Sequence, residues 1–157
     1  MFQGALVGLL LACCVAIAYP SPARLLQSSN NYLCGKRNSL WNFGCMVYCT
    51  TKLDAFTHFN NYGCYCGFGG SGKPVDGMDE CCMHHDQCYD AARANGYCGK
   101  LALYTTSYKW TCFNRTTPIC NVHQINKCSE ELCKCDRQAS LCFARYTYPK
   151  RKPGCNK

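Results

Sequence analysis

Acidic residues are scarce: nine aspartates and glutamates stand against seventeen lysines and arginines, a formal net charge of +8. The surplus suits approach to an anionic membrane surface or to acidic glycans, besides simple solubility. The basic residues form no stripe interleaved with aromatics, so nucleic acid is excluded as a partner. No two cysteines are spaced CxxC, although Cys64/Cys66 and Cys133/Cys135 are spaced CxC. That lack excludes the common zinc and thioredoxin-like sites. No internal repeat is present, and no stretch beyond residue 18 is apolar enough to cross a bilayer. The first 18 residues lack any charged side chain; their apolar run ends in Ala16-Ile17-Ala18, and prolines follow at 20 and 22. This segment is expected to be a secretory signal peptide, which makes the product soluble and secreted to the extracellular space.

What the chain has in quantity is cysteine. Sixteen of its 18 cysteines lie beyond residue 18. An exported chain keeps such cysteines oxidised, and this density marks a disulfide scaffold. Residues 19–37 are rich in Ser, Asn and Pro and end in Lys36-Arg37, as a propeptide or leader would. Residues 38–157 form the domain, which closes on the basic tail PKRKPGCNK.

Three helices are legible. Leu40, Phe43, Met46 and Val47 make an apolar stripe on a short first helix. A second runs from about Asp79 to Asn95, with acids in its first turn and Gly96 as its stop. A third runs from about Ser129 to Arg145, with Ser129 as N-cap. Between the last two, LALYTTSYKWTCF alternates as a short β hairpin would. Cys81 and Cys88 are seven apart, as are Cys135 and Cys142. Seven residues is about two helical turns, so each pair lies on one face. Two antiparallel helices can then be joined like a ladder by Cys81–Cys142 and Cys88–Cys135, with His85 between the rungs and Asp136 near one of them.

A histidine beside an aspartate on a rigid helix suits two tasks: a general base near neutral pH, and a carboxylate for a hard cation. One carboxylate cannot coordinate calcium alone. The segment YGCYCGFGG, with glycines at 67, 69 and 70, can curl backbone carbonyls inward, or it can be an ordinary surface turn.

The segments YGCYCGFGGSGKPVDGMDECCMHHDQCY and CKCDRQASLCF resemble the calcium-binding loop, the active-site helix and the second long helix of secreted phospholipase A2. SLWNF at 39–43 is similar to the mature start of its pancreatic and elapid-venom type. The resemblance implies a mainly α, disulfide-rich fold: two antiparallel disulfide-linked helices, a short N-terminal helix, a calcium-binding loop and a small β hairpin. It implies calcium-dependent hydrolysis of the sn-2 ester of glycerophospholipids. His85 would be the base and Asp136 its partner, with Tyr89 and Tyr108 in support. The carboxylate of Asp86 and the carbonyls of Tyr65, Gly67 and Gly69 would hold Ca²⁺, and the N–H of Gly67 would face the oxyanion. Leu40, Trp41 and Phe68, with Phe56 beside them, would meet a phospholipid membrane surface, and the chain would act as a monomer. The alternative is a non-catalytic, toxin-like or receptor-binding protein on the same scaffold.

Two features depart from the family pattern. Cys34 and Cys45 fall outside its fourteen cysteines and are expected to pair, folding the leader back along the first helix; the rival is an intermolecular bridge through Cys45. The segment from Cys98 to Tyr104 is short, which leaves the subtype open. His84, His58 and His123 are expected at the surface. Asn114-Arg115-Thr116 is a glycosylation sequon in an expected loop.

Overall fold

A computed structural model of the chain describes residues 38–155. The expected signal, the leader and Cys34 of the expected Cys34–Cys45 pairing fall on residues outside that range. Cys45 itself is fully buried and disulfide-bonded.

The described chain runs α1 (Ser39–Thr51), α2 (Ala55–His58), α3 (Gly77–Ala94), α4 (Ala102–Thr105), β1 (Trp110–Phe113), β2 (Thr117–Cys120) and α5 (Lys127–Phe143). Each long helix begins on a side chain that accepts otherwise orphaned N–H groups. Asn38 caps α1, Asp76 caps α3 and Asn126 caps α5. The third long helix therefore starts two residues before its expected start at Ser129. Ser129 is buried instead, and its hydroxyl donates to the Ser107 carbonyl at 2.8 Å. No helix among the described residues is long and apolar enough to cross a membrane.

α3 and α5 lie side by side, joined by Cys81–Cys142 and Cys88–Cys135, the two expected rungs. Five more bridges pin the rest: Cys49–Cys112, Cys64–Cys155, Cys66–Cys82, Cys98–Cys128 and Cys120–Cys133. α1 packs against α5, with Phe43 stacked on His85 of α3, and buries Met46, Val47 and Cys49. One core cluster gathers Met46, Leu103, Tyr108, Trp110 and Leu132; the other gathers Val47, Phe59, Tyr62, Met78 and Phe143.

The hairpin lies later in the chain than expected. Residues 102–105 turn as the short helix α4, and β1 pairs antiparallel with β2, Trp110 opposite Cys120 and Phe113 opposite Thr117. Leu103 is buried and its carbonyl accepts from the Ser39 hydroxyl at 2.6 Å, which anchors α4 under α1 and removes it from any sheet. The basic tail is tied down: Lys152 donates to the carbonyls of Thr57 and Asn60 at 3.0 and 2.9 Å.

Candidate active site

His85 projects from the middle of α3 and Asp136 from α5. The disulfide rungs fix their register, and the imidazole Nε2 stands 2.6 Å from Asp136 Oδ1. An ionised carboxylate only accepts, so Nε2 carries the hydrogen and Nδ1 keeps the lone pair. The ring is held on two sides, stacked on Phe43 at 4.3 Å between centroids and tilted against Tyr89 at 4.4 Å.

Asp136 is fully buried, and both of its carboxylate oxygens accept hydrogen bonds. Tyr89 donates to Oδ1 at 2.7 Å and Tyr108 donates to Oδ2. Burial, and after it the charge of Asp136, push both phenols well above the ordinary tyrosine range. They stay protonated and donate to the carboxylate. A buried carboxylate without such donors would be costly.

His85 opens onto a cavity of about 600 Å³. Phe43, Val47, Phe59 and Phe143 supply apolar wall, while Arg93 and Lys100 put two cations among the lining residues. Sequence reasoning missed both cations, because nothing in their local pattern separates them from solvated surface charges. Leu40 and Phe68 line the cavity and are exposed, Phe68 by 78%. Phe56 lines it as well. Trp41 is half-buried, packed edge-on against Phe56 at 5.5 Å and against the core. His84 and His123 are at the surface, as expected. His58 is not: it is half-buried, edge-on to Tyr148 at 5.1 Å.

Among the described residues no three His, Cys, Asp or Glu side chains converge as a metal site. Any cation here must draw on backbone carbonyls, and the loop fits that need. Gly67 and Gly69 adopt φ of +141° and +78°, where L side chains are strained. At Gly70 a Cβ would lie 2.7 Å from Tyr65 Cα and 3.1 Å from Asp86 Oδ2, so only glycine lets the loop close on that carboxylate. Asp86 is half-buried; desolvation pushes its carboxyl up to about 6 despite the opposing effect of His85. A carboxylate so poorly solvated is suited to a cationic partner.

Asp79 sets the loop's position. Its fully buried carboxylate accepts from the N–H groups of Cys64 and Tyr65, both at 2.8 Å, and of Val75 at 3.0 Å. One side chain thus ties the loop's two ends to the start of α3. Sequence reading took Asp79 only as a first-turn acid, and no local signal distinguishes the two roles. Asp79→Asn replaces an acceptor with an amine on one side, leaving at least one loop N–H unsatisfied. The expected cost is about 1–3 kcal/mol in denaturant unfolding, with faster amide exchange at Cys64 and Tyr65. Unchanged exchange at both amides would exclude this role.

The chain is similar to known proteins over most of its length. The family profile described as phospholipase A2 matches residues 40–153. A basic phospholipase A2 of Micrurus corallinus is 46% identical over 119 residues, 75% of this chain and 78% of that protein. A phospholipase A2 of Oryctolagus cuniculus is 44% identical over 115 residues, 71% of this chain and 78% of that one. One of Bos taurus is 39% identical over 122 residues, 76% and 83% of the two chains.

Proposed function

The chain belongs to the phospholipase A2 family, and on that premise we propose that it is a secreted, calcium-dependent phospholipase A2. It would hydrolyse the sn-2 ester of glycerophospholipids at a membrane surface, releasing a fatty acid and a lysophospholipid. The observation that carries this reading is the His85–Asp136 pair at 2.6 Å, opening on an apolar cavity large enough for acyl chains.

His85 Nδ1 takes a proton from a water molecule, and that water attacks the ester carbonyl. Asp136 holds the tautomer and stabilises the imidazolium as it forms. Tyr89 and Tyr108 hold Asp136 in turn. The N–H of Gly67 donates to the developing oxyanion. His85 then returns the proton to the leaving glyceryl oxygen, so no covalent intermediate with the enzyme is needed. Asp86 and the carbonyls of Tyr65, Gly67 and Gly69 would hold Ca²⁺, which would polarise the ester carbonyl and neutralise the lipid phosphate. Leu40, Phe56 and Phe68, with Trp41 behind them, would enter the lipid surface around the cavity mouth. Such a protein acts as a monomer and outside the cell.

The test is fatty-acid release from phospholipid vesicles. Release is expected with calcium in the range of about 10⁻⁴–10⁻³ M, as for weak extracellular sites, and is expected to vanish in excess chelator. Full release in chelator would remove the cation from the reading. No release under either condition, from folded protein, would remove the enzyme.

A further inference from the structure

Asn114-Arg115-Thr116 is the only Asn-x-Ser/Thr triplet in the 157 residues, and its middle residue is not proline. The structure puts it at the tip of the β1–β2 hairpin. Asn114 and Arg115, the first two of the three residues that connect the strands, take φ of 48° and 60°, both left-handed. All three residues of the triplet are exposed. Among the described residues no hydrogen bond engages the Asn114 side chain, so its amide is available to an enzyme. The seven disulfides that join described residues, and the further bridge of Cys45, require an oxidising compartment. In a eukaryotic cell that is also the compartment in which glycans are attached to Asn-x-Ser/Thr.

We propose that Asn114 carries an N-linked glycan, and that it stands on the face of the molecule away from the lipid. In the attaching step Asn114 Nδ2 bonds to the anomeric carbon of an oligosaccharide carried on an isoprenoid pyrophosphate. The anomeric C–O bond breaks, its electron pair leaves with the lipid pyrophosphate, and the amide loses one proton. No oxidant or reductant is required.

The placement follows from α1. Lys52, the residue that ends α1, donates through its ammonium to the Arg115 carbonyl and so holds the hairpin tip to that end of the helix. Leu40, which lines the cavity, lies at the other end. Twelve residues separate them, roughly 18 Å along the helix axis. A glycan at the tip therefore grows away from the cavity mouth.

The hairpin's exposed face also suits a glycan. Thr111 pairs with Ile119 and Phe113 with Thr117, so these four side chains share one surface. Phe113 is 56% exposed and Ile119 43% exposed, so this face leaves apolar surface in solvent. The glycan leaves from the residue after Phe113, and the CH face of a sugar ring can lie on that aromatic ring.

The full chain, secreted from a eukaryotic cell, tests this by intact mass. The expected mass exceeds that of the polypeptide and falls to it on peptide N-glycosidase treatment, with Asn114 converted to Asp. Asn114→Gln and Thr116→Ala should both lose the added mass, and Arg115→Ala should keep it. A wild-type chain secreted at the polypeptide mass overturns the proposal, as does a glycan that survives Asn114→Gln. The mass measurement needs no assumption about activity. The placement is tested separately and rests on the proposed lipid hydrolysis: native removal of the glycan should change fatty-acid release by no more than about twofold, as for a remote surface change. A larger change would put the glycan at the lipid face and overturn that half of the proposal.

Discussion

His85→Gln is expected to lower the rate of fatty-acid release by about 10²–10⁴-fold, the range for loss of a positioned general base. The glutamine amide has no basic lone pair, so it cannot take the proton from water at any working pH. It can still donate to Asp136, as the imidazole does across 2.6 Å. The side chain is flanked by Phe43 and Tyr89, with Asp136 behind it already satisfied by Tyr89 and Tyr108. The substitution therefore leaves no buried charge without a donor, and the fold should survive. The measurement is initial rate on phospholipid vesicles, with circular dichroism and calcium titration on the same sample. A folded, calcium-binding variant that kept more than about a tenth of wild-type activity, against the expected range, would mean that the base lies elsewhere.

The ladder that supports this histidine was readable because it depends on one number. Cysteines seven apart fall on one helical face, and two such pairs on antiparallel helices meet as Cys81–Cys142 and Cys88–Cys135. His85 and Asp136 inherit their register from those bridges; the ladder placed Asp136 only near a rung, and its pairing with His85 was expected from the family resemblance. A small hairpin in this region was expected, but its exact position was not readable, for two physical reasons. Its turn uses Asn114 and Arg115 in left-handed conformation, without the glycine that usually marks such a turn. Its second strand contains Pro118, whose missing N–H argues against a strand on propensity alone. A two-stranded sheet of this size is marginal by itself. Here Cys49–Cys112 and Cys120–Cys133 fasten each strand to a helix, and long-range crosslinks override the local preference. Asp79 was beyond sequence reading for a related reason. Its partners, Cys64, Tyr65 and Val75, are donated by backbone, and backbone donors leave no trace in residue types. Asn126 rather than Ser129 caps α5 because both are good caps, and only the buried contact to Ser107 decides between them.

Asp86→Lys is expected to abolish calcium binding and, with it, hydrolysis. Asp86 lies in the cavity wall beside the tightly apposed Tyr65 and Gly70. It is the carboxylate that the loop closes on, and the loop's remaining donors are neutral carbonyls. Replacing it would remove the proposed charged ligand and put an ammonium in its space. Two unit charges about 4 Å apart near a protein surface interact by about 4 kcal/mol, which is roughly three orders of magnitude in affinity. A divalent ion feels more than that, and attraction has become repulsion. A site that starts with a dissociation constant of about 10⁻⁴–10⁻³ M then moves beyond any attainable calcium concentration. The helix should tolerate the change, since lysine is a good helix former and burial already works against the Asp86 carboxylate. Isothermal titration with calcium and vesicle hydrolysis on the same preparation give two independent readouts. Wild-type calcium affinity in the variant would show that Asp86 is not the ligand. Lost calcium binding with retained hydrolysis would show that the reaction does not need the cation, and His85 would then have to act with the Gly67 N–H alone.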